Sequence, residues 1–237
     1  LEQQTFCKAP AFHSGAKRLS KSIMTSHSSS NPAPALDASS PGSKPGHLTA
    51  PDVKAIRRAL DGRPIVIVGM MGAGKSSIGR RLAQALGLSF VDSDDEIEKA
   101  ANLSIPEIFD AYGEAHFRDG ERKVIARLLS DGGKVIALGG GAFENPETRA
   151  EIEQHALSVW LKADFDTLMA RVRRRSHRPL LQGPDPEGTM KRLIAAREPN
   201  YALAALTVPS RDGAHTEVVN ACLQALAKHF GLEPDTA

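Results

Sequence analysis

Long apolar runs are missing from this sequence: no stretch of eighteen or more apolar residues occurs, and no short apolar stretch follows a basic start. Neither a membrane span nor a secretory signal is indicated, and a soluble, cytoplasmic protein is expected. Cysteine is almost as scarce. Cys7 and Cys222 stand far apart, with no CxxC and no Cys/His cluster near them. That pattern argues against a disulfide framework and a zinc site, and it suits a reducing compartment. Nor is there an excess of one charge, since 30 Lys and Arg face 28 Asp and Glu. Lys8, Lys17, Arg18, Lys21 and Lys44 outnumber Glu2 and Asp37 in residues 1–50, which leaves 25 basic and 26 acidic residues for the rest. A near-neutral domain argues against nucleic acid as a partner, because such binding needs a net basic surface to displace counterions from phosphates.

Residues 1–50 also lack apolar periodicity. They are rich in Ser, Pro, Gly and Ala (SHSSSNPAPALDASSPGSKPG) and offer too little to bury against the entropy of ordering the chain, so a disordered extension is expected. Its poverty in acids is shared with organelle transit peptides, but an Arg-rich amphipathic stretch is missing, and Met24 offers an internal start. One domain remains, residues 51–237, with no internal repeat and no obvious oligomer interface; a monomer is expected.

What this domain does contain is an alternation of short apolar runs with helical patterns. IVIVG, SFVD, KVIAL, LSVWL and LTVP are separated by amphipathic stretches, and this βαβ rhythm predicts a parallel sheet of five strands. Ile78, Leu82 and Leu86 recur at four-residue spacing, which puts them on one helix face, and Gly87 follows as a stop. Ser104, Ile105, Pro106 and Glu107 have the pattern of a capping box with Pro in the first turn.

Residues 69–76 read GMMGAGKS and match GxxxxGK[ST] in full, between an apolar strand and an amphipathic helix. Glycines let the backbone turn its N–H groups onto phosphate oxygens at a helix N-terminus. Gly72, Ala73, Gly74, Lys75, Ser76 and Ser77 are therefore candidate nucleotide-binding residues. Lys75 adds a mobile positive charge, and the Ser76 hydroxyl suits Mg²⁺. The motif leaves the destination of the phosphate open. A GTPase would need NKxD, and none of Asn31, Asn102, Asn145, Asn200 or Asn220 precedes Lys. DAYG (110–113) fits DxxG only inside a helical pattern and is discounted.

Strand SFVD runs into Ser93, Asp94 and Asp95, so acidic groups lie at a strand's C-terminal end, where open α/β sheets bind ligands. Asp92 can hold the metal through water, and Asp94 can orient or deprotonate an acceptor hydroxyl. Because the two alternate along the strand, both face the cleft only if the chain has begun to turn. The competing role for Asp94 or Asp95 is a helix cap.

The ordered motifs GMMGAGKSS, DSDDEIE, FRDGE (117–121), LGGGA (138–142), RPLL (178–181) and AREPNY give the chain, over residues 64–209, a pattern that resembles the shikimate kinase family. The resemblance implies a three-layer αβα P-loop NTPase fold with a mobile lid at about 171–186. It implies an enzyme that uses ATP and Mg²⁺ to phosphorylate the 3-hydroxyl of shikimate. Asp94 would bind the reacting hydroxyl, and Arg118 and Arg197 would bind the carboxylate, for which planar guanidinium forks are suited. Gly139, Gly140 and Gly141 would lie against the acceptor, and Glu121 would position the Arg and Asp side chains. Arg178 would reach from the lid to the transferring phosphate, and Arg171 would stack on adenine. One departure follows LTVPSR: where the family usually has a basic residue and a Pro, this chain has Asp212, Gly213, Ala214 and His215, so Arg211, shifted in register, is the candidate there. Gluconate kinase, or a nucleotide-binding protein without turnover, remain the alternatives at this stage.

Overall fold

Five short strands make up the sheet: β1 (Ile65–Val68), β2 (Ser89–Asp92), β3 (Lys134–Ala137), β4 (Leu157–Lys162) and β5 (Leu206–Pro209). In the computed structural model, which describes residues 50–174 and 184–232, all of them pair in parallel in the order β2-β3-β1-β4-β5. β1 and β3 are buried along their whole length, which explains their continuous Val/Ile runs in place of alternation. Ile65 aligns with Val135 on one side and Leu157 on the other. β1 thus sits at the centre, and its C-terminal end opens beside the point where the strand order reverses.

Helices cover the sheet in two groups. α1 (Ala50–Leu60), α2 (Lys75–Leu86) and α8 (His215–His229) pack on one another, while α4 (Ile105–Ser130) packs on α5 (Pro146–His155), and α6 (Phe165–Arg173) on α7 (Pro186–Tyr201). This is the three-layer αβα arrangement. As the spacing predicts, Ile78, Leu82 and Leu86 are buried on the face of α2 that meets the sheet, and Gly87 ends the helix in the left-handed conformation. Ile65, Ile67, Val159, Leu161 and Leu226 are fully buried in the main core. A second, smaller cluster of Ile97, Ile108 and Phe117 joins α3 (Ser93–Ala101) to α4. The predicted capping box opens α4: Ser104 N donates to Glu107 Oε2 at 2.7 Å, and Glu107 N donates to Ser104 Oγ at 3.4 Å.

Two details differ from the sequence reading. The helical pattern around DAYG is broken at Gly113 (φ 77°, ψ 172°). A side chain there would meet nothing within 4 Å, so the requirement for glycine comes from the positive φ and not from crowding. The cap of α3 is neither Asp94 nor Asp95 but Asp92, whose Oδ1 accepts from Asp94 N at 3.2 Å. Arg178 and most of the 171–186 segment expected to form a lid lie outside the described residues. Among the described residues no helix is long and apolar enough to cross a membrane.

Candidate active site

The loop between β1 and α2 turns on glycines, with Gly72 (φ 85°) and Gly74 (φ 94°) in conformations that L side chains rarely adopt. The N-terminus of α2 therefore points at the same space as the strand ends, and its first-turn N–H groups and dipole favour an anion there. Lys75 Nζ donates to the carbonyls of Gly69 (2.8 Å) and Met70 (3.2 Å), arching over the loop. Gly72, Gly74, Lys75, Ser76 and Ser77 line a cleft of about 1030 Å³. Ala73 differs from its neighbours. Its side chain is buried, and its carbonyl accepts from Ser210 Oγ at 2.8 Å, so its contribution is limited to backbone.

β2 ends at Asp92 and α3 begins at Ser93, and this immediate turn is what brings both Asp92 and Asp94 to the cleft. Ser76 Oγ donates to Asp92 Oδ2 at 2.6 Å. Burial, followed by repulsion from Asp92, pushes the Asp94 carboxyl up from 3.8 to about 6, with Lys75 opposing. A carboxyl with this pKa can accept a proton near neutral pH.

Each glycine of the turn after β3 makes room for a different side chain. A Cβ on Gly139 would overlap Asp94 Oδ1 and come within 3.2 Å of Glu121 Oε1. On Gly140 it would stand 3.4 Å from Arg197 Nη1, and on Gly141 only 2.9 Å from Arg118 Nη1. Arg118 is held by Glu121 (Nη1 to Oε2, 2.8 Å) and by Glu114 (Nη2 to Oε1, 3.2 Å). Arg197 Nη1 donates to Gly140 O at 3.2 Å and makes no ion pair with its neighbour Glu198 among the described contacts. Burial raises the Glu121 pKa against the pull of Arg118.

On the opposite side, Arg171 ties the phosphate loop to the segment after β5. Its Nη1 donates to Ser210 Oγ (2.9 Å) and lies 3.4 Å from Gly72 O, its Nη2 donates to Arg211 O, and its Nε lies 3.3 Å from Asp212 Oδ1. Arg171, Arg174, Arg211, Asp212, Gly213 and His215 all line the cleft. Arg173, from the same cluster, instead pairs with Glu187 on α7.

The sequence model of the family described as Shikimate kinase matches residues 71–227. The chain belongs to the shikimate kinase family. The shikimate kinase of Bradyrhizobium diazoefficiens is 59% identical over 175 residues, 74% of this chain and 84% of that one. That of Rhodopseudomonas palustris is 54% identical over 78% of this chain and 91% of its own length. Among solved structures, shikimate kinase from Acinetobacter baumannii in complex with shikimate aligns with a TM-score of 0.68 and 36% identity, over 73% of this chain and 97% of that one. ATP is the phosphate donor that membership of the shikimate kinase family implies.

Several cleft residues were not anticipated from the sequence. Ile105, Pro106, Phe109 and Phe117 form an apolar wall, with the Phe109 and Phe117 rings 4.6 Å apart. In the sequence Phe117 stands out only as the start of FRDGE. The pair brackets the helix break at Gly113, and a regular helical period carried through that glycine cannot place the two rings together. Ser210, which is 1% exposed, gave no signal beyond its position after a strand.

Proposed function

We propose that this chain transfers the γ-phosphate of ATP to the 3-hydroxyl of shikimate with Mg²⁺ bound between Ser76, Asp92 and the nucleotide. The observation that carries the reading is the convergence, in one cleft, of the phosphate loop with Asp94, Arg118 and Arg197 around the turn 139–141. Loop N–H groups and Lys75 bind the donor phosphates. Arg118 and Arg197 fix the acceptor's carboxylate, which sets its hydroxyl against Asp94. Asp94, ionised at neutral pH yet more basic than an ordinary carboxylate, orients that hydroxyl and takes its proton as the O–P bond forms. The apolar wall of Phe109 and Phe117 covers the acceptor's ring face, and Arg178 supplies charge to the transferring phosphate.

The Ser76 hydroxyl and Asp92 carboxylate, 2.6 Å apart, make an oxygen-only pair. Such a pair fits a hard ion that keeps several waters and completes its shell with phosphate oxygens. Held there by the Ser76 hydroxyl and the Asp92 carboxylate, Mg²⁺ would neutralise charge that develops on the donor phosphates during transfer.

The monomer is taken as the working unit. Residues 51–237 are assigned as the kinase domain, and ATP as donor fits a cytoplasmic setting. Incubating the pure protein with ATP, Mg²⁺ and either shikimate or gluconate tests the reading. ADP and shikimate 3-phosphate should form with shikimate alone, and EDTA should stop the reaction. Turnover of gluconate, or ATP binding without acceptor-dependent ADP release, would overturn it.

A further inference from the structure

The last turn of α7 is tied at several points to the segment that follows β3. Arg197 and Tyr201 lie one helical turn apart, and their side chains converge on a single acceptor. The Gly140 carbonyl receives Arg197 Nη1 at 3.2 Å and Tyr201 Oη at 2.5 Å. Between them, Asn200 Nδ2 donates to Glu144 Oε2 at 2.7 Å. Tyr201 is 1% exposed, and its ring packs against Phe143 and Trp160, with centroids 6.4 and 6.1 Å away.

We propose that Tyr201 is a positioning residue for the acceptor, its hydroxyl fixing the Gly140 carbonyl so that the turn 139–141 and the Arg197 guanidinium hold one geometry. This rests on the reading that Arg197 binds the acceptor's carboxylate. A carbonyl oxygen has two lone pairs, and here one is taken by the tyrosine and the other by the arginine. Gly140 stands between two other glycines, so no side chain restrains its peptide planes, and a buried donor from the protein interior supplies the restraint instead. Burial also pushes the phenol up to about 12, which keeps the donor protonated at any pH where the enzyme works. Without the hydroxyl, the Gly140 oxygen follows Arg197 and Arg197 follows its own rotamers. The two are then no longer set independently of the bound acid.

Tyr201→Phe removes only the hydroxyl and leaves the ring packing, so the variant is suited to steady-state kinetics. A lost hydrogen bond of ordinary strength corresponds to a rise of about threefold to tenfold in shikimate KM, with ATP KM unchanged and kcat within about twofold. In an Arg197→Lys background the same change should have no further effect on shikimate KM, because the two residues act as one unit. Equal rises in both KM values would mean general loosening of the fold and would overturn the proposal, as would additive effects in the double variant. If Arg197→Lys alone left shikimate KM unchanged, the assignment of Arg197 would fall. If it raised that KM while Tyr201→Phe did not, the positioning role alone would fall.

Discussion

Replacing Asp94 with Asn should abolish phosphate transfer while making the protein more stable. The carboxyl is partly buried in the cleft beside Asp92 and Glu121. Burial first, then repulsion from Asp92, raise its pKa from 3.8 to about 6, even with Lys75 pulling the other way. That difference corresponds to about 3 kcal/mol favouring the neutral form in the folded chain. A carboxyl raised on folding contributes its stabilisation below its unfolded value, and the contribution is lost as pH climbs from 3.8 through about 6. At neutral pH the folded chain therefore carries the full cost of an ionised Asp94, which Asn avoids at nearly the same volume.

The gain from Asp94→Asn should then depend on pH in a defined way. It should be about 1 kcal/mol at about pH 4.5 and grow to about 3 kcal/mol at about pH 7.5, which for a domain of this size is a rise in Tm of about 6 to 12 °C. Urea unfolding in EDTA at each pH, followed by the fluorescence of Trp160, the one tryptophan of the chain, measures the gain, and a thermal scan gives the Tm. EDTA keeps divalent ions off Asp92, so that only protons titrate the pair. Equal stability of the two proteins at about pH 7.5, or a gain that does not change with pH, would refute the claim that an unfavourable ionised Asp94 is maintained for catalysis.

Other substitutions probe the surrounding geometry. Gly139→Ala would drive a methyl into Asp94 Oδ1 and against Glu121; a displacement of about 1 Å at a reacting group costs about a hundredfold in rate, measurable as kcat in an ADP-coupled assay. Arg118→Ala should raise shikimate KM by about 10- to 100-fold, the worth of a charge-assisted hydrogen bond, with ATP KM unchanged; unchanged acceptor affinity by calorimetry would remove Arg118 from the site. Ser104→Ala deletes the side-chain half of the capping box at the start of α4, the Oγ that accepts from Glu107 N, and leaves Ser104 N on the Glu107 carboxylate; it should lower stability by about 1 kcal/mol, read as a small fall in Tm.

What could be read from the sequence is what local chemistry dictates. IVIV must be a doubly buried strand, GMMGAGKS must turn a backbone onto phosphate, and Ser104 with Glu107 must start a helix, because each signal is complete within a few residues. The residue that caps α3 is not legible for the same reason: it is Asp92 and not the Asp94 or Asp95 that the sequence offers. Its neighbours Asp94 and Asp95 have equal capping chemistry, and only the point at which the strand becomes a helix, between Asp92 and Ser93, decides which one caps. Gly113 gives no sign of a break in the sequence because helix continues on both sides of it, and the wall of Phe109 and Phe117 depends on that break.

The three glycines show where sequence reading ends. GGG after a strand signals only that backbone must come close to something. In the fold, Gly139 yields space to Asp94 from α3, Gly141 to Arg118 from α4, and Gly140 to Arg197 from α7, three side chains from three elements remote in sequence. The turn is therefore the point from which Asp94, Arg118 and Arg197 are spaced: a methyl on Gly139 or Gly141 would displace Asp94 or Arg118, whereas one on Gly140 would meet Arg197 Nη1 at an ordinary contact distance of 3.4 Å. This gives a physical reason for glycine at both 139 and 141. It also makes the acceptor site a property of packing between α3, α4 and α7, which no single motif along the chain contains.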